Sequence, residues 1–221
     1  MKFLYHRDAA KERVLLEGEE YRHLFKSRRH KRGELLLLRN MKDGNLYRYK
    51  ILEVDRKFAL LQLEDMEQKE SLPLGFLRLG WCVIDPKTVE KSLPMLNEIG
   101  VSSICFVYCE RSQRNFRLRM EKLKKILISS SQQCGRSRLM ELEVYDSLER
   151  FLSDYPDCAV LDFGGEVLEN EKPRTLLVGC EGGFSQKERE LFKDRKIFSL
   201  RTDNVLKSET AAVAAAAKIL L

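Results

Sequence analysis

The sequence predicts two domains of different class, a small all-β domain followed by an α/β domain. Up to about residue 63, five short strand-like segments follow one another with turn residues between them, which is typical of a small β-barrel. From Leu74 onward, apolar strand-like segments alternate with helical ones, which is typical of a parallel sheet covered by helices. The polar, acidic segment 64–73 reads as a linker, so we expect domains over residues 1–70 and 71–221.

Composition limits the class of protein further. The chain has 221 residues, 43% of them hydrophobic, which is enough for one large core or two small ones. It contains 40 Lys and Arg against 34 Asp and Glu, and the net charge of +6 suits a polyanionic partner. No run of eighteen apolar residues occurs and residues 1–8 lack the apolar core of a secretion signal, so we expect no membrane span and a cytoplasmic location.

The cysteine pattern favours free thiols over disulfides. No two of the cysteines form a CxxC pair, and a chain of this size without a secretion signal is expected in a reducing compartment. The histidines have no cysteine or carboxylate set at ligand spacing, so no metal site is expected. The six cysteines are Cys82, Cys105, Cys109, Cys134, Cys158 and Cys180.

In the first domain, turn signals separate the predicted strands, and Lys42-Asp43-Gly44-Asn45 is typical of a hairpin turn. A short helix over residues 19–26 is expected to interrupt the strands. The strands are predicted at residues 2–6, 13–17, 34–39, 46–54 and 58–63.

The strongest charge cluster of the sequence runs from Arg22 to Arg32 and contains no acidic residue. Tyr21 and Phe25 are expected to seat this basic cluster on the barrel, so that its charges face RNA phosphates and release their counterions. A solvated face without a partner is the alternative. The predicted RNA-binding residues are Arg22, His23, Lys26, Arg28, Arg29, Lys31 and Arg32.

In the second domain, the first helix has the clearest limits, with Asp85 as its N-cap, Pro86 at its first position and Gly100 at its end. A second helix follows the arginine-rich stretch 110–119, and an alanine-rich last helix over 209–221 is expected to be capped by Ser208. The strands are predicted at residues 76–84, 101–108, 158–163, 174–179 and 196–200.

A glycine-rich loop, Val178 to Ser185, joins a predicted buried strand to a helix that Ser185 and Glu188 open with capping-box spacing. Its glycines allow sharp turns and close approach to a ligand. Ligands of open α/β sheets bind beyond the carboxyl ends of the strands, so this loop and the loops 162–165 and 201–207 are expected to converge on one pocket. The loop fits neither the phosphate-binding nor the dinucleotide pattern, and a plain tight turn is the alternative.

Together with a second run near the C-terminus, the glycine-rich loop resembles the signature loops of a known family. Gly179, Glu181, Gly182, Gly183 and Phe184-Ser185, followed by Leu206-x-Ser208-Glu209-Thr210-Ala211, are similar to the two loops of the bacterial 16S rRNA (uridine-N3)-methyltransferase family (RsmE-like) of the SPOUT superfamily. The resemblance extends to Glu98–Val101, Glu110–Ser112, Gln133–Arg136 and, more loosely, His23-Leu24 and Arg29. The chain departs from the family pattern at four places: Cys180 for Pro, Lys207-Ser208 for Arg-Thr, Met95 for Lys and Gln132 for Glu.

The resemblance implies a SPOUT-type parallel-sheet methyltransferase domain with a trefoil knot, preceded by a PUA-like β-barrel domain. In such a knot Leu206–Thr210 passes through a backbone loop. The implied enzyme is a homodimer that uses S-adenosyl-L-methionine to methylate N3 of a uridine in 16S rRNA of the small ribosomal subunit, a step of rRNA processing in ribosome biogenesis. The implied cofactor-binding residues are Leu161, Gly179, Glu181, Gly182, Gly183, Leu200, Leu206, Ser208, Glu209 and Thr210.

The chemistry of uracil indicates which side chains carry the reaction. Uracil N3–H is a weak acid, so an enzyme that methylates it must stabilise negative charge on the base, and arginine does this with a permanent charge and forked donors. We therefore expect catalytic roles for Arg136 and Arg111, which would hold the anionic uracil or an adjacent phosphate. Glu181 and Glu209 are candidate bases, although hydrogen bonding to loop backbone is the favoured role of both.

Two other functions remain compatible with the sequence. A SPOUT enzyme that methylates a ribose 2′-OH would share the cofactor loops. A non-catalytic RNA-binding ribosome assembly factor would keep the fold without the chemistry, and the charges lost at Met95 and Gln132 favour it.

Overall fold

A computed structural model describes residues 2–221 and divides them into two compact units. The first unit comprises the chain up to Leu72 together with Ser131–Leu139, and the second comprises Pro73–Ser130 and Met140–Leu221. The segment Ser131–Leu139 therefore returns to the first unit, although it follows the first two strands of the second. Its backbone is tied there because Lys2 N donates to Gln132 O over 2.8 Å and Tyr5 N donates to Gln132 Oε1 over 2.8 Å.

The first unit is built on a five-stranded sheet that curls into a half-barrel, as the predicted β-barrel class requires. Side chains alternate across it: Val14 and Leu16 are buried while Leu15 between them is exposed, since successive strand residues face opposite sides. The sheet order is β1-β3-β4-β5-β2, with only β1 and β3 parallel. The strands are β1 Leu4–Tyr5, β2 Arg13–Glu17, β3 Leu35–Arg39, β4 Asn45–Val54 and β5 Phe58–Gln68, and helix α1 is Gly18–Tyr21.

The second unit is built on a six-stranded sheet in the order β11-β9-β10-β6-β7-β8, and every pairing in it is parallel. All carboxyl ends therefore lie at one edge of the sheet, which confirms the predicted α/β class. The strands are β6 Arg78–Cys82, β7 Ser103–Val107, β8 Glu141–Tyr145, β9 Ala159–Val167, β10 Thr175–Val178 and β11 Ile197–Ser199. The helices are α2 Pro86–Ile99, α3 Met120–Cys134, α4 Leu148–Asp154, α5 Gln186–Glu190 and α6 Ser208–Leu220. The last four residues of α3 belong to the first unit.

Strand β8 and helix α4 are absent from the sequence prediction. β8 is an edge strand in which only Tyr145 is fully buried, so it lacks the apolar run that marks the interior strands. α4 has only seven residues, too few for a clear helical period. Over residues 2–221, no helix combines the length and apolar character needed to cross a bilayer.

The limits of helix α2 agree with the sequence prediction. The Asp85 carboxylate accepts hydrogen bonds from Thr88 N over 2.9 Å and from Thr88 Oγ1 over 3.2 Å, and Pro86 occupies the first helical position. Gly100 ends the helix at a φ of 109°, where a Cβ would lie 2.8 Å from the Cβ of Pro73. A side chain at this position would be strained and crowded.

The expectation of free thiols is wrong for one pair, because Cys82 and Cys109 form a disulfide. Cys82 ends β6 and Cys109 follows β7, and the parallel pairing of these neighbouring strands brings the two residues to a Cα separation of 5.8 Å. A pairing across 27 sequence positions leaves no local sequence signal. The other four cysteines form no disulfide among the described residues, and burial raises the pKa of Cys105 and of Cys158 to about 12.

We predict that Asp85→Ala destabilises the second unit by about 1 kcal/mol, because two donors of Thr88 lose their acceptor. The melting temperature should fall by about 2–4 °C in a thermal unfolding scan. The matched control is Asp203→Ala, which removes an exposed carboxylate from a loop. Equal melting temperatures for the two variants would contradict the capping role.

Candidate active site

A cavity of about 270 Å³ lies at the carboxyl ends of β10 and β11 and beside the middle of β9. Three segments line it: 161–164, 178–184 and 199–206, with additional contacts from the start of α6. The glycine-rich loop and the segment 201–207 converge as the sequence predicts. The predicted loop 162–165 is wrong, because these residues lie within strand β9, although they still line the pocket. We call the pocket of these three segments the three-loop cavity. All of its lining residues belong to the second unit.

The three-loop cavity collects most of the residues predicted to bind a cofactor. Those that line it are Leu161, Gly179, Glu181, Gly183, Leu200, Leu206 and Ser208. Gly182, Glu209 and Thr210 are not part of the lining: Gly182 is exposed in the loop, and the other two lie in the first turn of α6.

Sequence reasoning missed several residues of the cavity. Phe163 and Val205 line the cavity and are 69% and 80% exposed. Val178 and Phe184 contribute buried apolar wall, whereas polar groups come from Ser199, Thr202 and Asn204. Except for Phe163, which lies within β9, these residues lie at or after the ends of β10 and β11, and this position was the available signal, since ligands of such sheets bind there.

Ser208 connects three elements at the cavity. Its hydroxyl donates to the carbonyl of Gly179 and accepts from Trp81 Nε1 over 2.9 Å, and the residue is buried. The expected role of Ser208 as the cap of α6 is wrong, because Lys207 occupies the cap position and makes no side-chain capping bond. The hydroxyl instead fixes the start of α6 to the glycine-rich loop and to strand β6.

The lining of the three-loop cavity contains carboxylates and no Lys or Arg among the described residues. Asp162 is paired at 2.9 Å with the guanidinium of Arg189, a residue that does not line the cavity. Glu181, by contrast, is exposed. A positively charged ligand meets no like charge here, and a phosphate group meets no cation. The cavity therefore suits a cationic, partly apolar ligand better than a nucleotide phosphate.

The predicted capping box is present and has a second function. Ser185 Oγ accepts from Glu188 N over 3.2 Å, and Ser185 N donates to Glu188 Oε2 over 2.8 Å. The other oxygen of the buried Glu188 carboxylate accepts from Glu110 N over 2.7 Å, while Ser185 Oγ donates to the Glu110 carboxylate. The segment after β7 is thus fastened to the glycine-rich loop.

The two predicted catalytic arginines lie in different surroundings. Arg111 is exposed beside the glycine-rich loop, and its Nη1 donates to the carbonyl of Gly182. Arg136 is 8% exposed within the segment that returns to the first unit, where its Nε donates to Arg138 O over 3.1 Å. Burial lowers the pKa of the Arg136 guanidinium below its usual value.

All the predicted RNA-binding residues of the basic cluster are exposed. The predicted helix exists but changes pitch, because α1 continues as a π-helical segment, Arg22–Ser27. As expected, Tyr21 and Phe25 are buried beneath the cluster, with stacked rings 5.1 Å apart. Within residues 2–221, no carboxylate pairs with a Lys or Arg of the cluster, whereas His30 pairs with Glu34 at 2.6 Å.

Comparison with known proteins agrees with these observations. The RNA methyltransferase domain family matches residues 70–220, and the RNA methyltransferase PUA domain family matches residues 16–64. Ribosomal RNA small subunit methyltransferase E of Helicobacter pylori is 46% identical over 219 residues, which covers 96% of each chain.

Two solved structures share the fold. A Legionella pneumophila protein in complex with the cofactor SAM has a TM-score of 0.85 at 22% identity, covering 99% of this chain and 96% of the other. Ribosomal RNA small subunit methyltransferase E of Neisseria gonorrhoeae, bound to S-adenosyl methionine, has a TM-score of 0.82 at 20% identity, covering 98% and 95%. These matches confirm the predicted fold class, and the chain belongs to the ribosomal RNA small subunit methyltransferase E family of RNA methyltransferases.

Proposed function

We propose that this protein is an enzyme that uses S-adenosylmethionine to methylate N3 of a uridine in 16S rRNA of the small ribosomal subunit. The observation that carries the proposal is the 46% identity to the Helicobacter pylori enzyme along nearly the whole of both chains. The three-loop cavity supports it, because its carboxylates and apolar walls match the chemistry of the cofactor.

The residues of the three-loop cavity fit S-adenosylmethionine. When bound, this cofactor supplies a methyl group on a positively charged sulfur. Leu161, Leu200 and Leu206 offer apolar walls for an adenine ring, and the exposed Glu181 complements positive charge. Gly183 adopts a φ of 64°, a backbone conformation in which a residue with a side chain would be strained. A Cβ at this position would meet nothing within 4 Å.

Arg111 is the better placed of the two proposed catalytic residues. Its Nη1 is held by the carbonyl of Gly182, next to the cavity lining, and its exposed guanidinium has further donors. We assign these donors to the oxygen atoms of a uracil that loses its N3 proton. Arg136 keeps a proposed role in holding the anionic base or a neighbouring phosphate, and its burial and its bond to Arg138 O limit its rotamers.

RNA binding is assigned to the N-terminal domain, predicted over residues 1–70, and methyl transfer to the domain over 71–221. The exposed basic cluster, whose Lys and Arg residues have no carboxylate partner in the described chain, supports phosphate contact.

Phe163 and Val205, exposed at the cavity, support a homodimer in which the partner subunit covers them. An enzyme acting on the small ribosomal subunit works in the cytoplasm.

The first prediction about function tests the proposed reaction directly. Mass-spectrometric nucleoside analysis of 16S rRNA from cells without the gene should show loss of one N3-methyluridine, and purified protein with S-adenosylmethionine should restore it. If 2′-O-methyluridine changes instead, the acceptor atom is wrong. If no modification changes, a non-catalytic assembly factor is the remaining function.

The second prediction concerns the arginines. We expect Arg111→Ala and Arg136→Ala each to lower kcat by about a hundredfold, because each removes a charged donor from the developing anion. The affinity for S-adenosylmethionine, measured by calorimetry, should stay unchanged. Arg150→Ala, an exposed arginine of α4, is the control. Full activity of either variant at saturating substrates refutes the role of that residue, and Arg136→Lys with a melting scan separates catalysis from folding.

The third prediction concerns the basic cluster. Arg28→Glu combined with Lys31→Glu should weaken binding to small-subunit rRNA by at least tenfold in a filter assay, and the slope of log affinity against log salt should become shallower. Binding of S-adenosylmethionine should not change. Arg56→Glu with Lys57→Glu, in a loop of the same unit outside the cluster, is the matched control. Equal losses in both double variants would mean that net charge alone matters.

A further inference from the structure

A second cavity, of about 520 Å³, lies beyond the carboxyl ends of β7 and β8. It belongs to the second unit, and no residue of the three-loop cavity lines it. Its walls combine two guanidinium groups, a phenol ring, two aliphatic side chains and one carboxylate. The residues are Tyr108, Arg114, Arg117, Leu118, Val144 and Asp146, and we call this pocket the arginine cavity.

One segment connects the two cavities. Residues 109–119, the arginine loop, run from the end of β7 to the start of α3. Near its beginning, Glu110 N binds the Glu188 carboxylate and Arg111 binds the carbonyl of Gly182, both in or beside the glycine-rich loop. Further along, Arg114 and Arg117 line the arginine cavity. The arginine loop therefore places residues beside both cavities.

The spacing of the sheet sets the distance between the cavities. Strand β10, which ends at the three-loop cavity, and β7, which ends at the arginine cavity, are separated only by β6. Two strand spacings amount to roughly 10 Å. An unstacked stretch of a few nucleotides covers this distance, so both cavities are within reach of neighbouring nucleotides.

The arginine loop is organised in advance of binding. Arg117 Nη1 donates to Arg114 O over 2.6 Å and to Phe116 O over 3.4 Å, and the Tyr108 hydroxyl donates to Phe116 O over 2.7 Å. These bonds close the loop on itself and fix the Arg117 side chain. Because the guanidinium is held before a ligand arrives, less side-chain entropy is lost on binding.

The charged groups of the arginine cavity do not neutralise one another. Within residues 2–221, neither Arg114 nor Arg117 has a carboxylate within 4.0 Å, and Asp146 has no cationic partner at that distance. Arginine binds phosphate through paired N–H donors, and a carboxylate accepts from an exocyclic amino group such as N4 of cytosine. Tyr108, Leu118 and Val144 add the apolar surface on which a base packs.

We propose that the arginine cavity is a second nucleotide subsite, which takes an RNA nucleotide flanking the methylated uridine. Its phosphate binds Arg114 and Arg117, and its base, one that carries an exocyclic amino group, faces Asp146. The subsite deepens the proposed function and rests on it. It gives the enzyme a sequence-dependent contact beside the target base, in addition to the phosphate contacts of the basic cluster.

The first test is steady-state methylation of small ribosomal subunits purified from cells without the gene. Arg114→Ala and Arg117→Ala should each raise the KM for subunits about tenfold, with kcat and the affinity for S-adenosylmethionine unchanged, and each should lower the salt slope by about one. Arg117→Lys should recover part of the loss because it keeps the charge. Lys125→Ala, an exposed lysine of α3 outside the cavity, is the control. An unchanged KM in both alanine variants would overturn the subsite.

The second test separates a nucleotide subsite from charge alone. Val144→Trp fills the cavity without removing a charge, and Val144 is 42% exposed on an edge strand, so the fold should tolerate it. It should raise the KM as the alanine variants do, and Asp146→Asn should raise it several-fold. If Val144→Trp leaves the KM unchanged, the arginines bind backbone phosphate only and the nucleotide subsite is refuted. Leu118→Trp repeats the test if Val144→Trp melts at lower temperature.

Two further results distinguish the subsite from a failure of the proposed function and from a site for a free nucleotide. If the wild-type protein forms no N3-methyluridine, the proposed function fails, and filter binding of subunits by the same variants still decides the subsite. Cytidine 5′-monophosphate is the probe for a free nucleotide: binding of the monophosphate at micromolar concentration, without effect of the variants on subunit binding, would overturn an RNA subsite in favour of a small-molecule one.

Discussion

The buried hydroxyl of Ser208 is the contact on which the three-loop cavity depends. It donates to the carbonyl of Gly179 and accepts from Trp81 Nε1, so one oxygen holds the start of α6, the glycine-rich loop and the central strand β6. Each bond contributes about 1 kcal/mol, but a buried donor left without its partner costs about 1–3 kcal/mol. A shift of α6 or β6 would therefore leave the indole N–H unpaired, and a shift of the glycine-rich loop would leave the Ser208 hydroxyl without its acceptor. The cavity shape follows from this requirement.

The Glu188 carboxylate extends the same organisation toward β7. One of its oxygens closes the capping box at Ser185, and the other accepts from Glu110 N. The buried Glu188 side chain thus joins the glycine-rich loop to the arginine loop, together with the bond from Ser185 Oγ to the Glu110 carboxylate. Arg111 then reaches Gly182 from a fixed backbone. Local helix capping thus positions a proposed catalytic side chain.

Features set by neighbouring residues were predictable from the sequence, and those set by tertiary pairing were not. The N-cap at Asp85, the stop at Gly100 and the capping box at Ser185 each depend on a few adjacent residues. Ser208 illustrates the limit: its position before an alanine-rich helix indicates a cap, yet partners 29 and 127 positions away in sequence take its hydroxyl. The disulfide between Cys82 and Cys109 likewise depends on strand order.

The same limit applies to the candidate site. The glycine-rich loop was recognisable because turn geometry and resemblance both favour glycine there, whereas Phe163 and Val205 read as ordinary loop residues. The arginine-rich stretch was visible as composition, but its cavity also depends on Val144 and Asp146, from β8 and the loop after it, and β8 lacks the continuous apolar run of the interior strands.

The net charge of +6 does not show that carboxylates and arginines occupy separate places around the site, as the proposed chemistry requires. A cationic cofactor and a polyanionic RNA must bind close together without competing for each other's contacts. The three-loop cavity has no Lys or Arg in its described lining, whereas Arg111, Arg114 and Arg117 stand along the adjacent arginine loop. This arrangement favours phosphates at the rim over phosphates in the cavity, and it leaves Glu181, which has no ion-pair partner among the described residues, available to positive charge. Gly182 and Arg111 lie at the border between the cavity, whose described lining has no Lys or Arg, and the arginine loop. The methyl donor and the uracil would meet at this border.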